Sequence, residues 1–306
     1  MATQIFYNGV DITNNVTITA CNISDGNGGK QDYCKITFAN GDKLWQEWKP
    51  QYNDVVRVKR GNCDSGKMFI NGIESNERNY TLILLSTPTT AKKKNNKVWR
   101  DIKLSEVIND VSQSLGFEVQ FYGFQDYFYK TLTQTQKTDI EFMCELCYRE
   151  GFNVKIYDEK IIIFNEKTLY SADASGTIIP NECNYYEFYD NNTPLSSVTI
   201  KYYDILKREL ISHTATAKDV SGKEETFIIK VDNQAQAERY AENILQHNNN
   251  FIQCGMLKLK DADKYSSGSV INLSEFKGYN GKWYIYESLF DTKNNNCIFY
   301  INKIRG

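Results

Sequence analysis

Three arrangements in the sequence hold residue types that do chemistry. Gly61-Asn62-Cys63-Asp64-Ser65-Gly66-Lys67 follows most of a phosphate-binding loop, in which backbone N–H groups and a lysine cradle phosphate oxygens. That chemistry also needs Ser or Thr after the lysine, to hold Mg²⁺, and a helix whose N-terminus faces the phosphates. Met68 follows instead, and Phe69-Ile70-Asn71-Gly72 reads as a strand, so a hairpin turn is expected. Cys144 and Cys147 have the spacing of a redox or zinc pair. Zinc needs two more ligands, and the only two histidines, His213 and His247, sit in no partner motif. Ile140, Met143, Cys144 and Cys147 recur at i, i+3, i+4 and i+7, which predicts helical core packing. Neither histidine lies in a Ser or Cys motif of the kind nucleophilic hydrolysis uses. A glycosidase needs two carboxylates, and 38 acidic residues always offer pairs, so that signal is silent. No catalytic, cofactor-binding or metal residues are expected, and the chain is not read as an enzyme.

The aromatic bunches carry more information. Phe121-Tyr122-Gly123-Phe124 with Tyr127-Phe128-Tyr129, and Tyr185-Tyr186-Glu187-Phe188-Tyr189, sit near turn residues. Core packing is the simplest use of such runs. The alternative is a protein–protein interface, where tyrosine and phenylalanine are enriched. Tyr185, Tyr186, Phe188 and Tyr189 are the candidate interface residues. The basic run Lys92–Lys97 reads as a solvated loop.

The elements that must position these residues fall into three parts. Residues 1–88 alternate with period two over Asp32–Phe38, Asp54–Lys59, Lys67–Ile70 and Tyr80–Leu84, separated by Gly/Asn/Asp turns, and suggest a small β-barrel or sandwich. Residues 89–175 change period. Leu104, Val107, Ile108, Val111 and Leu115 form one helical face, with Gly116 as the left-handed stop. Thr138-Asp139-Ile140-Glu141 is a capping box opening a second helix that ends at Gly151. A hairpin follows, from Phe152 to Tyr157 and Ile161 to Phe164. Residues 176–306 return to strands, such as Val198–Tyr202 and Thr226–Lys230, with one helix at about 233–248. The fold class expected from the residues is α+β, mainly β: two β-rich ends flanking an α+β middle domain.

Composition sets the outer limits. The chain has 306 residues, 41% hydrophobic and 24% charged, an ordinary globular makeup in which a large core can form. Thirty-six basic against 38 acidic residues leave a net charge of −2, which excludes a nucleic-acid binder driven by bulk positive charge. Aliphatic or aromatic runs such as Leu82–Leu85 and Ile161–Phe164 are four residues long, far below the ~20 a membrane-spanning helix needs, so no membrane insertion is expected. The opening Met1-Ala2-Thr3-Gln4-Ile5-Phe6 lacks the pattern of a secretory signal, and folding in a cytoplasm is expected. The eight cysteines are mostly scattered singly and are expected to be reduced.

The order of elements resembles the phage late-control protein D family, the baseplate hub proteins of contractile tails. The resemblance rests on Phe6-Tyr7-Asn8-Gly9-Val10-Asp11-Ile12-Thr13, on Trp45, Trp48, Pro50 and Asp54, and on Trp99 with the two helices of the middle part. It continues through Gly268-Ser269-Val270-Ile271-Asn272-Leu273 and Asn280-Gly281-Lys282-Trp283-Tyr284-Ile285. The resemblance makes the two ends two small β-barrels flanking the α+β middle domain, with Trp45, Trp48, Pro50 and Asp54 marking the first and Gly268, Gly281 and Trp283 the second. Asn53-Asp54 stands where the family pattern has Gly-Asp. The resemblance implies a homotrimer that presents six barrels as a pseudo-sixfold ring. Such a ring joins a sixfold tail-tube protein to a threefold central spike, with tape-measure and other baseplate proteins as further partners. It also implies a virion or phage-tail-like bacteriocin particle assembled in the host bacterial cytoplasm. DNA would only pass through the lumen, whose lining is expected to avoid a strong positive field. The rival expectation is a tail-tip adhesin or cell-wall-hydrolysing component.

Overall fold

Alternation of apolar and polar residues decides which face of a strand is buried, and the strands of the first third follow it. The computed structural model describes residues 3–41, 43–61, 63–190, 193–259, 264–292 and 296–304. Tyr33–Ala39 buries Cys34, Ile36 and Phe38 and leaves the residues between them more open. Val55–Arg60, Met68–Ser75 and Asn79–Leu85 supply the other expected strands, and Gln4–Tyr7 and Ile18–Gly26 add two more.

These strands do not close into two barrels. Among the described residues, fourteen strands form one open sheet. Its path runs Cys183–Asp190, Gln253–Leu259, Asn296–Lys303, Gly281–Asp291, Ile18–Gly26, Tyr33–Ala39, Asn79–Leu85, Met68–Ser75, Val55–Arg60, Gln4–Tyr7, Val10–Asp11. The joint is the antiparallel pairing of Glu287–Asp291 with Asn22–Gly26. The expected pair of closed β-barrels is thus replaced by a continuous sheet over one core, to which Ile5, Trp45 and Leu82 contribute from one end of the chain and Leu257, Trp283 and Phe299 from the other. Gly281–Asp291 is eleven residues long and bulges between Ile285 and Glu287. One of its edges pairs with Asn296–Lys303, while the other takes Val270–Leu273 and then Ile18–Gly26. Alternation reveals the inward face of such a strand, but not which strand lies beside it.

The middle part matches its periodicity. A helix spans Leu104–Leu115, and Gly116 ends it at φ +72°. Thr138 Oγ1 accepts from Glu141 N, and the Glu141 carboxylate accepts from Thr138 N, opening the helix Asp139–Arg149. Phe152–Tyr157 and Lys160–Asn165 form the expected hairpin. The lysine run is a correction. Thr89–Lys92 is a 3₁₀ turn, and Lys94–Lys103 is a strand paired with Phe128–Thr138. Trp99 explains it, because its ring stacks on Phe142 at 4.9 Å and an interplanar angle of 1°, which draws a lysine-rich segment onto the helices.

In the last third, Leu195–Asp204 pairs antiparallel with Glu209–Thr216 and parallel with Lys223–Ile228. Asn233 caps the helix Gln234–Asn249, whose Ala237, Tyr240, Ala241 and Ile244 cover one face of this small sheet. Glu150 fastens that helix to the middle part. Its buried carboxylate accepts from Tyr129 Oη at 2.9 Å and from Arg239 Nε at 3.0 Å, and the guanidinium lies 4.2 Å from the Tyr127 ring centroid. Burial pushes the Glu150 pKa up, and the Arg239 and Tyr129 hydrogen bonds offset only part of that.

Two predictions follow from these buried charges. Arg239→Ala strands Glu150 and should cost about 3 kcal/mol in urea denaturation, the low end for an orphaned buried charge because Arg239 is partly exposed. Glu150→Gln combined with Arg239→Met should recover much of that loss, and an equal loss in both variants would contradict the account. Asp32 is buried where the two ends of the chain meet. Burial raises its pKa to about 7, with Lys155 pulling it down and Asp25 pushing it up. The unfolded chain ionises this carboxyl at about 3.9, so its contribution to stability declines from pH ~4 to ~7 and is level above. Asp32→Asn should therefore gain stability over the parent at pH 8, with the gap closing toward pH 4 in thermal melts.

Candidate functional site

The phosphate-loop resemblance resolves into a turn. Cys63–Asp64 pairs with Val55–Arg60, and Gly66 adopts φ +63° before the strand Met68–Ser75; Asn62 lies outside the described residues. Arg57 Nε donates to Asp64 Oδ1 at 2.8 Å, so the turn's carboxylate is held by the chain's own guanidinium. Cys147 is buried within the helix Asp139–Arg149 and Cys144 is half-buried there. Burial pushes the Cys144 thiol up to about 12 and the Cys147 thiol well above the ordinary range, so neither is a thiolate at neutral pH. His247 packs edge-on to Tyr148 at 4.7 Å, and burial lowers its pKa despite Glu166 nearby. His213 lies on the strand Glu209–Thr216, opposite Ile200. Among the described residues, no group of three or more His, Cys, Asp or Glu could hold a metal ion. No helix among them is long and apolar enough to cross a membrane.

The motif residues of both ends lie around one core. Trp45 is fully buried on the short helix Leu44–Trp48, 4.5 Å from Phe38, 5.5 Å from Tyr80 and 5.1 Å from Trp48. Pro50 is buried behind it. Asp54 Oδ2 accepts from Gln51 N at 2.7 Å and from Tyr7 Oη. Burial pushes this carboxyl up, yet the hydrogen bonds from Tyr7, Gln51 and Asn8 together hold it below its usual value. Trp283 is buried across the same core, with Nε1 donating to Tyr279 O at 2.8 Å. Gly281 and Gly268 adopt φ +117° and +90°, conformations that a side chain would strain. Trp45, Pro50 and Trp283 are buried, while Trp48, Asp54, Gly268 and Gly281 are half-buried.

The strand Cys183–Asp190 is different. It ends the fourteen-stranded path, pairs with Gln253–Leu259 on one side, and has no ladder partner on the other among the described residues. Phe188 anchors it, stacked on Tyr279 at 4.2 Å and 5.3 Å from Trp283. Gly255 lies opposite, and a Cβ there would come within 2.7 Å of the Phe188 ring, so glycine permits the close approach. The interface candidates thus divide. Phe188 holds the strand inward, while Tyr185, Tyr186 and Tyr189 are 50%, 46% and 43% exposed beside Glu187 and Asp190. An unpaired edge studded with tyrosines has both free backbone groups and rigid amphipathic rings to offer a protein partner. In the other aromatic bunch, Phe124 packs 4.3 Å from Phe121 and 5.0 Å from Phe152, and Tyr129 is buried, while Tyr122 and Phe128 face outward.

The sequence matches no family model and no curated protein. The three-dimensional arrangement does have counterparts. The 43 kDa tail protein of prophage MuSo2 from Shewanella oneidensis superimposes with a TM-score of 0.74 at 11% identity, over 99% of this chain and 98% of that one. A tail protein from Neisseria meningitidis gives 0.76 at 9% identity, over 99% and 96%. An Escherichia coli type VI secretion component, described as structurally similar to the T4 bacteriophage tail proteins gp27 and gp5, gives 0.66 at 10% identity, over 98% and 77%. From end to end, the chain has the fold of phage tail proteins.

Proposed function

We propose that this chain is a structural component of a contractile tail, the baseplate hub that adapts a sixfold tail tube to a threefold central spike. The observation that carries the proposal is the two-way coverage of the match to tail proteins, 99% of this chain and 98% of its counterpart. The hub works as a homotrimer in which the segments 1–88 and 176–306 of each chain form two similar tube-facing units, so that three chains offer six. The continuous sheet suits the task, because a hydrogen-bonded ladder from one end of the chain to the other carries load without a hinge between the two halves. Tube protein binds one face and spike the other, with tape-measure and baseplate proteins around them. DNA passes through the lumen without being gripped. The particle, a virion or a headless bacteriocin, assembles in the bacterial cytoplasm.

The deciding experiment is light scattering on the purified 35.4 kDa chain, alone and mixed with the tail-tube and spike proteins of the same particle. A trimer that co-elutes with either protein is expected. A chain that stays monomeric and ignores both would overturn the hub reading and favour a tail-tip adhesin.

A further inference from the structure

The two ends of the chain and the middle part enclose a cavity of about 290 Å³ beside the strand junction. Register sets its sheet wall. Phe290 stands opposite Ile23 and Ser288 opposite Asp25, so these four side chains share one face. Lys155 and Tyr157, on alternate positions of Phe152–Tyr157, form the wall that the middle part contributes. The turn at Asp64 and Ser65 closes a third side, and Asp32 reaches in from the loop after Ile18–Gly26.

Most polar groups around this cavity are already matched. Lys155 pairs with Asp25, and its Nζ lies 3.3 Å from Ser267 Oγ. Asp64 is held by Arg57 at 2.6 Å and by Lys59 at 3.0 Å. Ser65 Oγ donates to Gly66 O at 2.8 Å, and Asn27 Nδ2 donates to Ser267 Oγ at 2.7 Å. Two groups are left over. Asp32 is only 4% exposed; its Oδ1 accepts from Gly26 N at 2.9 Å, but its Oδ2 has no hydrogen-bond partner among the described residues. Ser288 is 7% exposed, and its Oγ has no such partner either. Buried polar groups are ordinarily hydrogen-bonded, so a carboxyl oxygen and a hydroxyl turned into one cavity call for a molecule that supplies the contacts.

Charge and shape narrow the chemistry of that molecule. Asp25 and Asp32 share a single ammonium, Lys155, which leaves one negative charge uncompensated when both carboxyls are ionised. A metal ion does not fit, because among the described residues no three His, Cys, Asp or Glu converge to hold one. Ile23, Met68 and Phe290 give the cavity an apolar side. Its volume lies at the small end for ligand sites, which suits a molecule of a few heavy atoms.

We propose that this cavity binds a small primary alkylammonium ion, whose N–H groups donate to Asp32 Oδ2 and Ser288 Oγ while its short carbon chain lies against Ile23, Met68 and Phe290. The bound ion ties the strand junction to the middle part and compensates the charge of Asp32. The site draws on one chain alone and holds for a hub or for any other tail component.

Isothermal titration calorimetry on the full-length chain tests it, with n-butylammonium chloride as the probe at pH 8, where Asp32 is ionised. Saturable binding is expected, with a rise in melting temperature over the same concentrations. Sodium chloride and 1-butanol, the uncharged analogue, should give neither. Asp32→Asn keeps the size of the side chain and removes its charge, and should weaken binding about tenfold or more. Ser288→Ala should weaken it about threefold, the loss of one neutral hydrogen bond. Circular dichroism checks that both variants keep the fold of the parent. No saturable binding to the parent, equal binding of 1-butanol, or undiminished affinity in either variant would overturn the proposal. None of these results bears on the hub reading, which the mixture with tube and spike proteins tests separately.

Discussion

The pairing of Glu287–Asp291 with Asn22–Gly26 is the contact on which the architecture depends. It brings residues more than 260 positions apart into one ladder and merges the apolar faces of both ends into one interior. Ser24 Oγ donates to Glu287 Oε1 at 3.2 Å, and Lys30 pairs with the other oxygen of the same carboxylate, so side chains reinforce the backbone junction. Around it, Lys155 from the middle part pairs with Asp25 and lies 3.3 Å from Ser267 Oγ. Three remote stretches of sequence thereby meet at one polar seam. A charge at such a seam is costly unless paired, which is why Asp32, beside this pair, holds its proton to unusually high pH.

A second consequence concerns exposed edges. A closed barrel has none, whereas the main path of an open sheet leaves one at each end. One edge, Val10–Asp11, is only two residues long, which limits what can pair with it. The other, Cys183–Asp190, is eight residues long, rich in tyrosine and anchored by Phe188. A long exposed edge of this kind is the part of the sheet most open to pairing with another chain.

Much of the local structure was legible from residue types. The helix Leu104–Leu115 followed from five apolar positions and one glycine, and the capping box Thr138-Glu141 located the start of the next helix. Phe152–Tyr157 and Lys160–Asn165 followed from two β-rich runs around Asp158-Glu159, both at positive φ in the turn. Lys94–Lys103 was not legible, because its lysines mask the strand and its cause, Trp99 stacked on Phe142, lies 43 positions away in sequence. The Glu150–Arg239–Tyr129 cluster escaped for the same reason, since charged residues read as surface until a tertiary partner buries them.

The candidate surface divides along the same line. Tyr185, Tyr186, Phe188 and Tyr189 stood out as a cluster, yet alternation alone could not say which rings anchor and which protrude. The exposed apolar side chains Val98, Phe128, Tyr203, Leu210 and Ile228 had no signal of their own, because they come from five separate strands. By itself the sequence determined most of the elements, their buried faces and the order of β and α parts, because periodicity and capping act within a few residues. Only the tertiary structure decided that the two β-rich ends share one open sheet, and which residues it gathers on its surface. Strand pairing is set by the packing of faces far apart in the chain, and no local pattern records the partner.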